Sequence, residues 1–193
     1  IRRSKNEIGW VELPPLKADF SHVQEVALTG LTWKGHSSSL FLENFTHIKS
    51  LSMTGAELVE LPAVIGDMKQ LTSLKLPSNG LKLSERSAAS LSALDALQVL
   101  DLSENPLGTL PDFGGMPHLR ALNLSFTRIE RWPSGLRTQT GLERVDLRHN
   151  RLLQVPQDNL VPPADQLETI VRINNVTLLD GNRFPHDYWE TFD

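Results

Sequence analysis

The sequence predicts an α/β solenoid, in which about seven short units stack and each adds one strand to a parallel sheet on the concave side of an arc. Three observations support this prediction. Apolar residues return in the same register at intervals of 25, 23, 26, 22 and 23 residues. An asparagine stands at a fixed place in several of these units. The chain has 193 residues with 22% charged residues and a net charge of -4, a composition that fits one domain with a sizeable core.

Each unit follows the pattern LxxLxLxxNxL. The unit that begins at Leu97 shows it most fully, with Leu100, Leu102, Asn105 and Leu107 in order. At a period of 22 to 26 residues, this pattern is that of a leucine-rich repeat. The six units begin at Val23, Ile48, Leu71, Leu97, Leu119 and Leu142. A seventh, degenerate unit ends in LLDGNRF, where Leu179, Asn182 and Phe184 hold the late positions.

Physical chemistry assigns a role to each conserved place in the unit. The central LxL forms a short strand whose leucines point inward, because side chains alternate along a strand. The asparagine amide satisfies backbone groups where the chain leaves the strand, so Asn79, Asn105 and Asn150 are interpreted as structural. The segments that begin Leu61-Pro62 and Leu110-Pro111 are expected to form short helical turns on the convex side. Units of this kind bury their apolar faces only by stacking.

Three longer segments predict helices. Ser84 is expected to cap a helix from Glu85 to Leu97. The segment SSSLFLENF in the first unit has a similar pattern, with its serines as candidate caps. The segment PQDNLVPPADQLETIVRI after Val155 predicts a loop followed by a short helix that displaces the last unit.

The ends differ from the middle and predict capping units. We assign residues 1–20 to an N-terminal cap, residues 21–184 to the repeats, and residues 185–193 to a C-terminal cap or the start of a linker to a further domain. The first cap would use Trp10, Leu13 and Leu16, and the last would use the aromatic residues Phe184, Tyr188, Trp189 and Phe192.

Composition and motifs exclude several classes of function. The sequence has no basic stripe that would suggest nucleic acid as the partner. It also has no run of about 18 apolar residues that would predict a membrane span. The six histidines have no metal-ligand spacing and cysteine is absent, so we expect no metal and no cofactor. No nucleophile or phosphate-loop motif occurs, and we expect no enzyme in this chain. The absence of disulfides favours an intracellular site of action or a bacterial origin.

Function is therefore expected at the variable positions of the concave face. The third, fifth and seventh residues of each unit point out of that face, and the eighth lies at its rim. The first two rows carry mainly small side chains, whereas later rows carry charge and one aromatic. The candidate partner-binding residues are Lys75, Asp101, Glu104, Asn123, Phe126, Arg144, Asp146, Arg148 and His149. The alternative is a solvated face on which Arg144, Asp146 and Arg148 only neutralise one another.

One resemblance extends this interpretation. The segments DLSENPLGTLPDFGGMPHLRALNLSFTRIERWPSGL, VDLRHNRLLQVP and VTLLDGNRFP resemble the leucine-rich repeat region of bacterial toxin or effector proteins that carry a ubiquitin ligase domain of the NEL (novel E3 ligase) type. The resemblance covers roughly residues 12–185. It implies a module, secreted from a bacterium, that recognises a host protein in the host cytoplasm, while the catalytic cysteine of the ligase lies outside this chain.

Two other classes of function remain open at this stage. The chain is alternatively a freestanding cytoplasmic scaffold or regulator, as other intracellular repeat proteins are. It is also compatible with a surface-exposed binding or structural protein. The sequence does not fix the oligomeric state, the identity of the partner or which of the concave residues bind it.

Overall fold

The structure of the protein, a computed structural model, describes residues 18–31 and 35–188. Seven parallel strands form one open sheet in chain order, each hydrogen-bonded to the next. The predicted seven-unit solenoid with one strand per unit is confirmed. The strands are β1 (Glu25–Thr29), β2 (Ser50–Thr54), β3 (Ser73–Lys75), β4 (Val99–Asp101), β5 (Ala121–Asn123), β6 (Arg144–Asp146) and β7 (Thr177–Leu178).

The register of the sheet follows the repeat. Leu74 pairs with Leu100 and Leu100 pairs with Leu122, so the inward positions form one row. Leu100 and Leu102 are fully buried, which confirms the predicted orientation of the strand. The seventh unit keeps this register with Thr177 at the fourth position, since Val145 pairs with Thr177 rather than with a leucine. The buried core is continuous from Val26 to Ile173, as stacking of units requires.

Among the described residues, the convex side carries four helices: α1 (Gly35–Glu43), α2 (Glu85–Ser92), α3 (Gln157–Leu160) and α4 (Leu167–Val176). Three short 3-10 helices, at Ala63–Asp67, Phe113–Gly115 and Leu136–Thr138, fill other units. The first two follow the Leu-Pro segments as predicted. The predicted loop after Val155 instead contains α3, and α4 runs directly into β7.

Two predicted helix ends are wrong. Ser84 does cap α2 by accepting a hydrogen bond from the Ser87 backbone N–H at 3.2 Å, but the helix ends at Ser92 rather than at Leu97. Leu97 already leads into β4, so the chain has to leave the helix earlier. In the first unit the serines lie inside α1 rather than at its cap. Burial of Phe41, Leu42 and Phe45 in the core outweighs the weak preference of serine for helix ends.

Asparagine side chains tie each unit to the one before it. The Asn79 amide nitrogen donates to the Met53 carbonyl of the preceding unit at 2.8 Å, and its oxygen accepts from the Ala56 N–H at 2.7 Å. The Asn150 amide nitrogen reaches back to the Leu124 carbonyl at 2.7 Å. The predicted structural role of these residues is confirmed. Asn182 extends the same ladder into the degenerate seventh unit, because its nitrogen donates to the Leu147 carbonyl at 2.8 Å.

The ladder is interrupted at Thr127, which occupies the asparagine position of the fifth unit and is 1% exposed. Its hydroxyl donates to the Leu124 carbonyl of its own unit at 2.7 Å and contacts the Asn150 oxygen at 3.1 Å. Among the described residues, it makes no hydrogen bond to the preceding unit. Threonine has the hydroxyl but lacks the second donor and the longer reach of an amide.

We therefore expect Thr127→Asn to raise the free energy of unfolding by about 1 kcal/mol, since the added amide can reach the Leu102 carbonyl of the preceding unit. Chemical denaturation measures the change. Thr109→Asn, at an exposed position, is the matched control and should leave the midpoint unchanged. A lower midpoint for Thr127→Asn would show that the fifth unit cannot hold the larger side chain.

Aromatic residues close both described ends of the stack. Phe20 packs on Phe45 with ring centroids 5.3 Å apart. At the other end Phe184 stacks on Tyr188 at 5.2 Å, and the Tyr188 hydroxyl accepts a hydrogen bond from the Val155 N–H at 2.7 Å. The other predicted capping residues, Trp10, Leu13, Leu16, Trp189 and Phe192, lie outside the described residues.

Candidate protein-binding surface

The outward residues of the sheet form a grid. The fifth positions of successive units lie side by side, because Ser52 pairs with Lys75, Lys75 with Asp101, and Asp101 with Asn123. Asn123 pairs in turn with Asp146. The structure therefore brings the fifth-position candidates of the sequence analysis into one continuous row on the concave face. The third, seventh and eighth positions form parallel rows on either side of it.

The outward side chains of the first two strands, β1 and β2, are mostly short. Their outward side chains in β2 are Ser50, Ser52 and Thr54, all half-buried. In β1 the exposed side chains are Glu25, Ala27 and Thr29. Apart from Glu25, these side chains are short and uncharged, so this end of the sheet offers few groups that could anchor a partner.

Side chains at the fifth position are held by the residue two places later. The Asp101 carboxylate accepts hydrogen bonds from the Ser103 backbone N–H at 2.9 Å and from its hydroxyl at 2.6 Å. The Asn123 oxygen accepts the same two bonds from Ser125, at 3.1 Å and 2.8 Å. These local turns fix the side chains in place and leave the second carboxylate oxygen of Asp101 without a bond to Ser103.

In the sixth unit the same arrangement becomes an ion cluster of Arg144, Asp146 and Arg148, which we call the arginine cluster. The Arg148 Nε donates to one Asp146 oxygen at 2.9 Å and its terminal nitrogen donates to the other at 2.6 Å. The Arg144 guanidinium reaches that second oxygen at 3.3 Å. The Asp146 side chain is 3% exposed, against 61% for Arg144 and 38% for Arg148.

The electrostatics keep the Asp146 carboxylate ionised. Burial acts to raise its pKa, but hydrogen bonds from the Arg148 side chain and N–H, the charge of Arg148 and the bond from Arg144 outweigh it, so the pKa is lowered. The role of Asp146 in binding a partner stays a prediction. Its oxygens face the two guanidinium groups, and its role in this arrangement is to hold them in position.

The backbone at the eighth position of every unit is left-handed. Its φ angle lies between 55° and 74° in all seven units. Glycine occupies this position at residues 30, 55 and 181, whereas the four middle units use Ser78, Glu104, Phe126 and His149. Their place at the rim follows from the sequence pattern, but their backbone conformation does not. Left-handed geometry costs a residue with a Cβ atom roughly 1–2 kcal/mol.

Two pairs form along this rim. The Ser78 hydroxyl donates to the Glu104 carboxylate at 2.6 Å. Phe126 and His149 stack with ring centroids 4.3 Å apart and planes 16° from parallel, and we call them the rim pair. Gly181 leaves space for this arrangement, because a Cβ there would lie 2.4 Å from the His149 Nδ1. Phe126 remains 53% exposed.

The rim pair adjoins the arginine cluster. The Phe126 N–H donates to the Arg148 carbonyl at 3.1 Å, and His149 directly follows Arg148. Five of the nine predicted site residues therefore form one patch: Phe126, Arg144, Asp146, Arg148 and His149. Lys75, Asp101, Glu104 and Asn123 lie on the units that lead up to it.

Two outward residues of the seventh unit, Leu178 and Asp180, were not predicted from the sequence. Because Asp146 pairs with Leu178, the half-buried Leu178 faces outward beside the arginine cluster. Asp180 follows at the seventh position, where its carboxylate is exposed and its charge helps to raise the pKa of Arg148 after the larger effects of Asp146. Aligning Asn182 with Asn150 would have identified both residues, since the asparagine fixes the register of the unit.

The described residues contain no cluster of metal ligands and no membrane-spanning helix. Over residues 18–31 and 35–188, no three His, Cys, Asp or Glu side chains come together in a way that would hold a metal ion. In the same part of the chain, no helix has the length and apolar character needed to cross a bilayer.

Comparisons with known proteins agree with this architecture. The family model for the leucine rich repeat matches residues 82–129. The structure of a leucine-rich repeat protein from Leptospira interrogans superposes with a TM-score of 0.63 and 21% identity, over 84% of this chain and 50% of that one. At this identity the likeness concerns the fold.

Two curated relatives are similar to the chain over part of their own length. The volume-regulated anion channel subunit LRRC8E of Xenopus tropicalis is 27% identical over 172 residues, which cover 75% of this chain and 21% of that protein. The monocyte differentiation antigen CD14 of Rattus norvegicus is 34% identical over 123 residues, which cover 60% of this chain and 29% of that protein. The chain thus spans between a fifth and a third of these relatives. Sequence pattern, sheet topology and structural likeness agree that the protein is a leucine-rich repeat solenoid.

Proposed function

We propose that the chain is a protein-binding module and that its partner docks on the later units of the concave face. The observation that carries the proposal is the patch formed by the arginine cluster and the rim pair. Arginine and aromatic side chains are enriched among the residues that dominate binding energy in protein interfaces. Here one exposed aromatic ring and two guanidinium groups lie together on an open sheet, while the first two rows are smooth.

The arrangement favours binding over a merely solvated face. Two arginines that share one buried carboxylate have lost part of their side-chain freedom before any partner arrives, which lowers the entropic cost of binding. Arg144 and Arg148 contact the single carboxylate of Asp146, and the charge of the exposed Asp180 acts on Arg148. Preformed polar groups of this kind are a common basis for selective recognition.

We further propose that this module serves a larger bacterial effector or toxin, with a ubiquitin ligase domain elsewhere in the polypeptide, that is secreted and captures a host protein in the host cytoplasm. The support is the resemblance of the repeat segments around residues 101–136 and 145–185 and the absence of cysteine from the chain. A freestanding cytoplasmic scaffold is the alternative. Reading the full open reading frame decides between them, because the effector proposal requires a ligase domain in the same gene.

Substitution of the patch tests the binding proposal. We expect Phe126→Ala, and separately the double variant Arg144→Glu with Arg148→Glu, to weaken capture of the partner from a eukaryotic cell lysate by roughly thirtyfold, which corresponds to about 2 kcal/mol for the loss of one anchor. Captured proteins are identified by mass spectrometry and quantified against the unsubstituted chain.

Ser52→Ala and Thr54→Ala are the controls, since both residues lie on the concave face within the smooth second row. They should leave capture unchanged. Equal losses in the control and patch variants would indicate a footprint over the whole arc. Undiminished capture by both patch variants would move the site away from this patch and contradict the proposal.

A further inference from the structure

The backbone at both residues of the rim pair, Phe126 and His149, is strained at a position where glycine would not be strained. Units one, two and seven place glycine at the left-handed eighth position, which glycine adopts without steric cost. The fifth and sixth units place Phe126 at φ 57° and His149 at φ 56° instead. A bulky residue in this region is uncommon, and strained backbone is concentrated at functional sites. The fold itself accepts glycine here, so the aromatic side chains have a role beyond folding.

The surroundings of Arg144 leave its positive charge available to a negatively charged group of a partner. Its neighbour on the adjacent strand is apolar, because Ala121 pairs with it directly. Its link to Asp146 is one long hydrogen bond of 3.3 Å. Most of the guanidinium therefore remains open to solvent, and its remaining donors suit a carboxylate, which guanidinium groups bind through paired hydrogen bonds.

Arg148 contributes differently. Two of its nitrogens are bound to Asp146, and the exposed Asp180 lies on its other side. Its charge is thus more fully compensated than that of Arg144. Arg144 is therefore the positive charge of the patch that is most available to a partner. Arg148 and Asp146 hold its side chain in position.

We propose that the partner, whose docking on this face rests on the proposed function, presents an acidic side chain to Arg144 and an aromatic or large aliphatic side chain to Phe126. Arg144 stands at the third position of its unit, but its guanidinium reaches Asp146 at the fifth position. The fifth and eighth positions are three residues apart along the unit, or about 10 Å at the rise of a strand. An extended segment bridges this distance with three residues, and a helix bridges it with seven. The recognised element is therefore a carboxylate three or seven residues from an apolar anchor.

A random 12-residue peptide library displayed on phage and selected on the immobilised chain at low ionic strength tests the proposal without knowledge of the partner. We expect the enriched peptides to carry Asp or Glu three or seven residues from an aromatic or large aliphatic residue. Binding of a synthetic copy of the most enriched peptide should fall at least tenfold with Arg144→Glu, and at least tenfold with Phe126→Ala. Arg86→Glu, an exposed arginine on α2, is the charge-matched control and should bind as the unsubstituted chain does.

Stability measurements separate binding from folding. Phe126→Gly should lose peptide binding as Phe126→Ala does, yet unfold at a higher denaturant concentration than Phe126→Ala, because glycine relieves the left-handed strain. Equal midpoints for the two variants would remove the strain argument and overturn the inference.

The outcomes distinguish this inference from the proposed function. Enriched peptides without an acidic residue, peptides unaffected by Arg144→Glu, or no enrichment at all would overturn the inference. If such peptides were instead lost with Lys75→Glu, recognition on the concave face would stand with a different anchor. Only lysate capture that is indifferent to the patch variants would overturn the proposed function itself.

Discussion

Asn105→Ala is expected to lower the free energy of unfolding by about 3 kcal/mol. The Asn105 side chain makes five hydrogen bonds in a site that is 1% exposed. Its oxygen accepts from the Asn79 N–H at 3.0 Å and the Leu81 N–H at 2.9 Å. Its two N–H groups are shared among three carbonyl oxygens, those of Leu76 at 2.8 Å, Leu102 at 3.0 Å and Ser103 at 3.0 Å. Each buried group left without a partner costs roughly 1–3 kcal/mol.

Chemical denaturation gives the change in the free energy of unfolding, and Asn123→Ala provides the matched control. Asn123 is half-buried on the concave face, and its oxygen contacts only the N–H and hydroxyl of the nearby Ser125, both of which water can reach once the amide is removed. Its replacement should cost less than about 1 kcal/mol. If the two variants lost equal stability, the claim that the buried asparagine ladder stabilises the fold more than the surface turn would be wrong.

Gly135→Ala is expected to cost a similar amount, about 3 kcal/mol, for a different reason. Gly135 begins the 3-10 helix Leu136–Thr138 at φ 79°, where a residue with a Cβ atom pays roughly 1–2 kcal/mol. A Cβ there would also lie 2.0 Å from the backbone nitrogen of Gly114 and 2.3 Å from the Asp112 carboxylate. Since the nearest atom is backbone, the two convex turns would have to separate, and overpacking of this kind costs a further 1–3 kcal/mol or so.

Gly108→Ala isolates the backbone contribution. Gly108 has nearly the same conformation, with φ 72°, but a Cβ there meets no heavy atom within 4 Å. Its replacement should therefore cost only the left-handed term, roughly 1–2 kcal/mol. Thermal or chemical unfolding of both variants measures the two costs side by side. Equal destabilisation would contradict the close approach of the turns at Gly114 and Gly135.

Much of the fold could be predicted from the sequence because the determining signal is local and repeated. The spacing of Leu97, Leu100 and Leu102 fixes which side of β4 is buried, and the same spacing recurs in the neighbouring strands. Asn105 follows at the point where the chain turns, so its role could be deduced from the hydrogen-bonding capacity of an amide. Ser84 could be identified as a helix cap for the same reason, since capping depends on residues within one turn.

The parts that failed depend on contacts between units. The serines of the first unit resemble helix caps, but the burial of Phe41 and Phe45 places α1 so that they fall inside it. The predicted helix after Ser84 was too long, because Leu97 has to return to the sheet.

The sequence by itself determined the solenoid, the direction of each strand and the identity of the outward residues, because these follow from the alternation of side chains and a fixed period. Only the tertiary structure decided what those residues do. It buried Asp146 between two arginines and stacked His149 on Phe126 over the space left by Gly181. The contacts of Asp146 with Arg144 and Arg148 join residues two positions apart. The stack of His149 on Phe126 joins neighbouring strands, about 4.8 Å apart in a sheet but more than 20 residues apart in the chain, and no local pattern specifies which atoms meet across that distance.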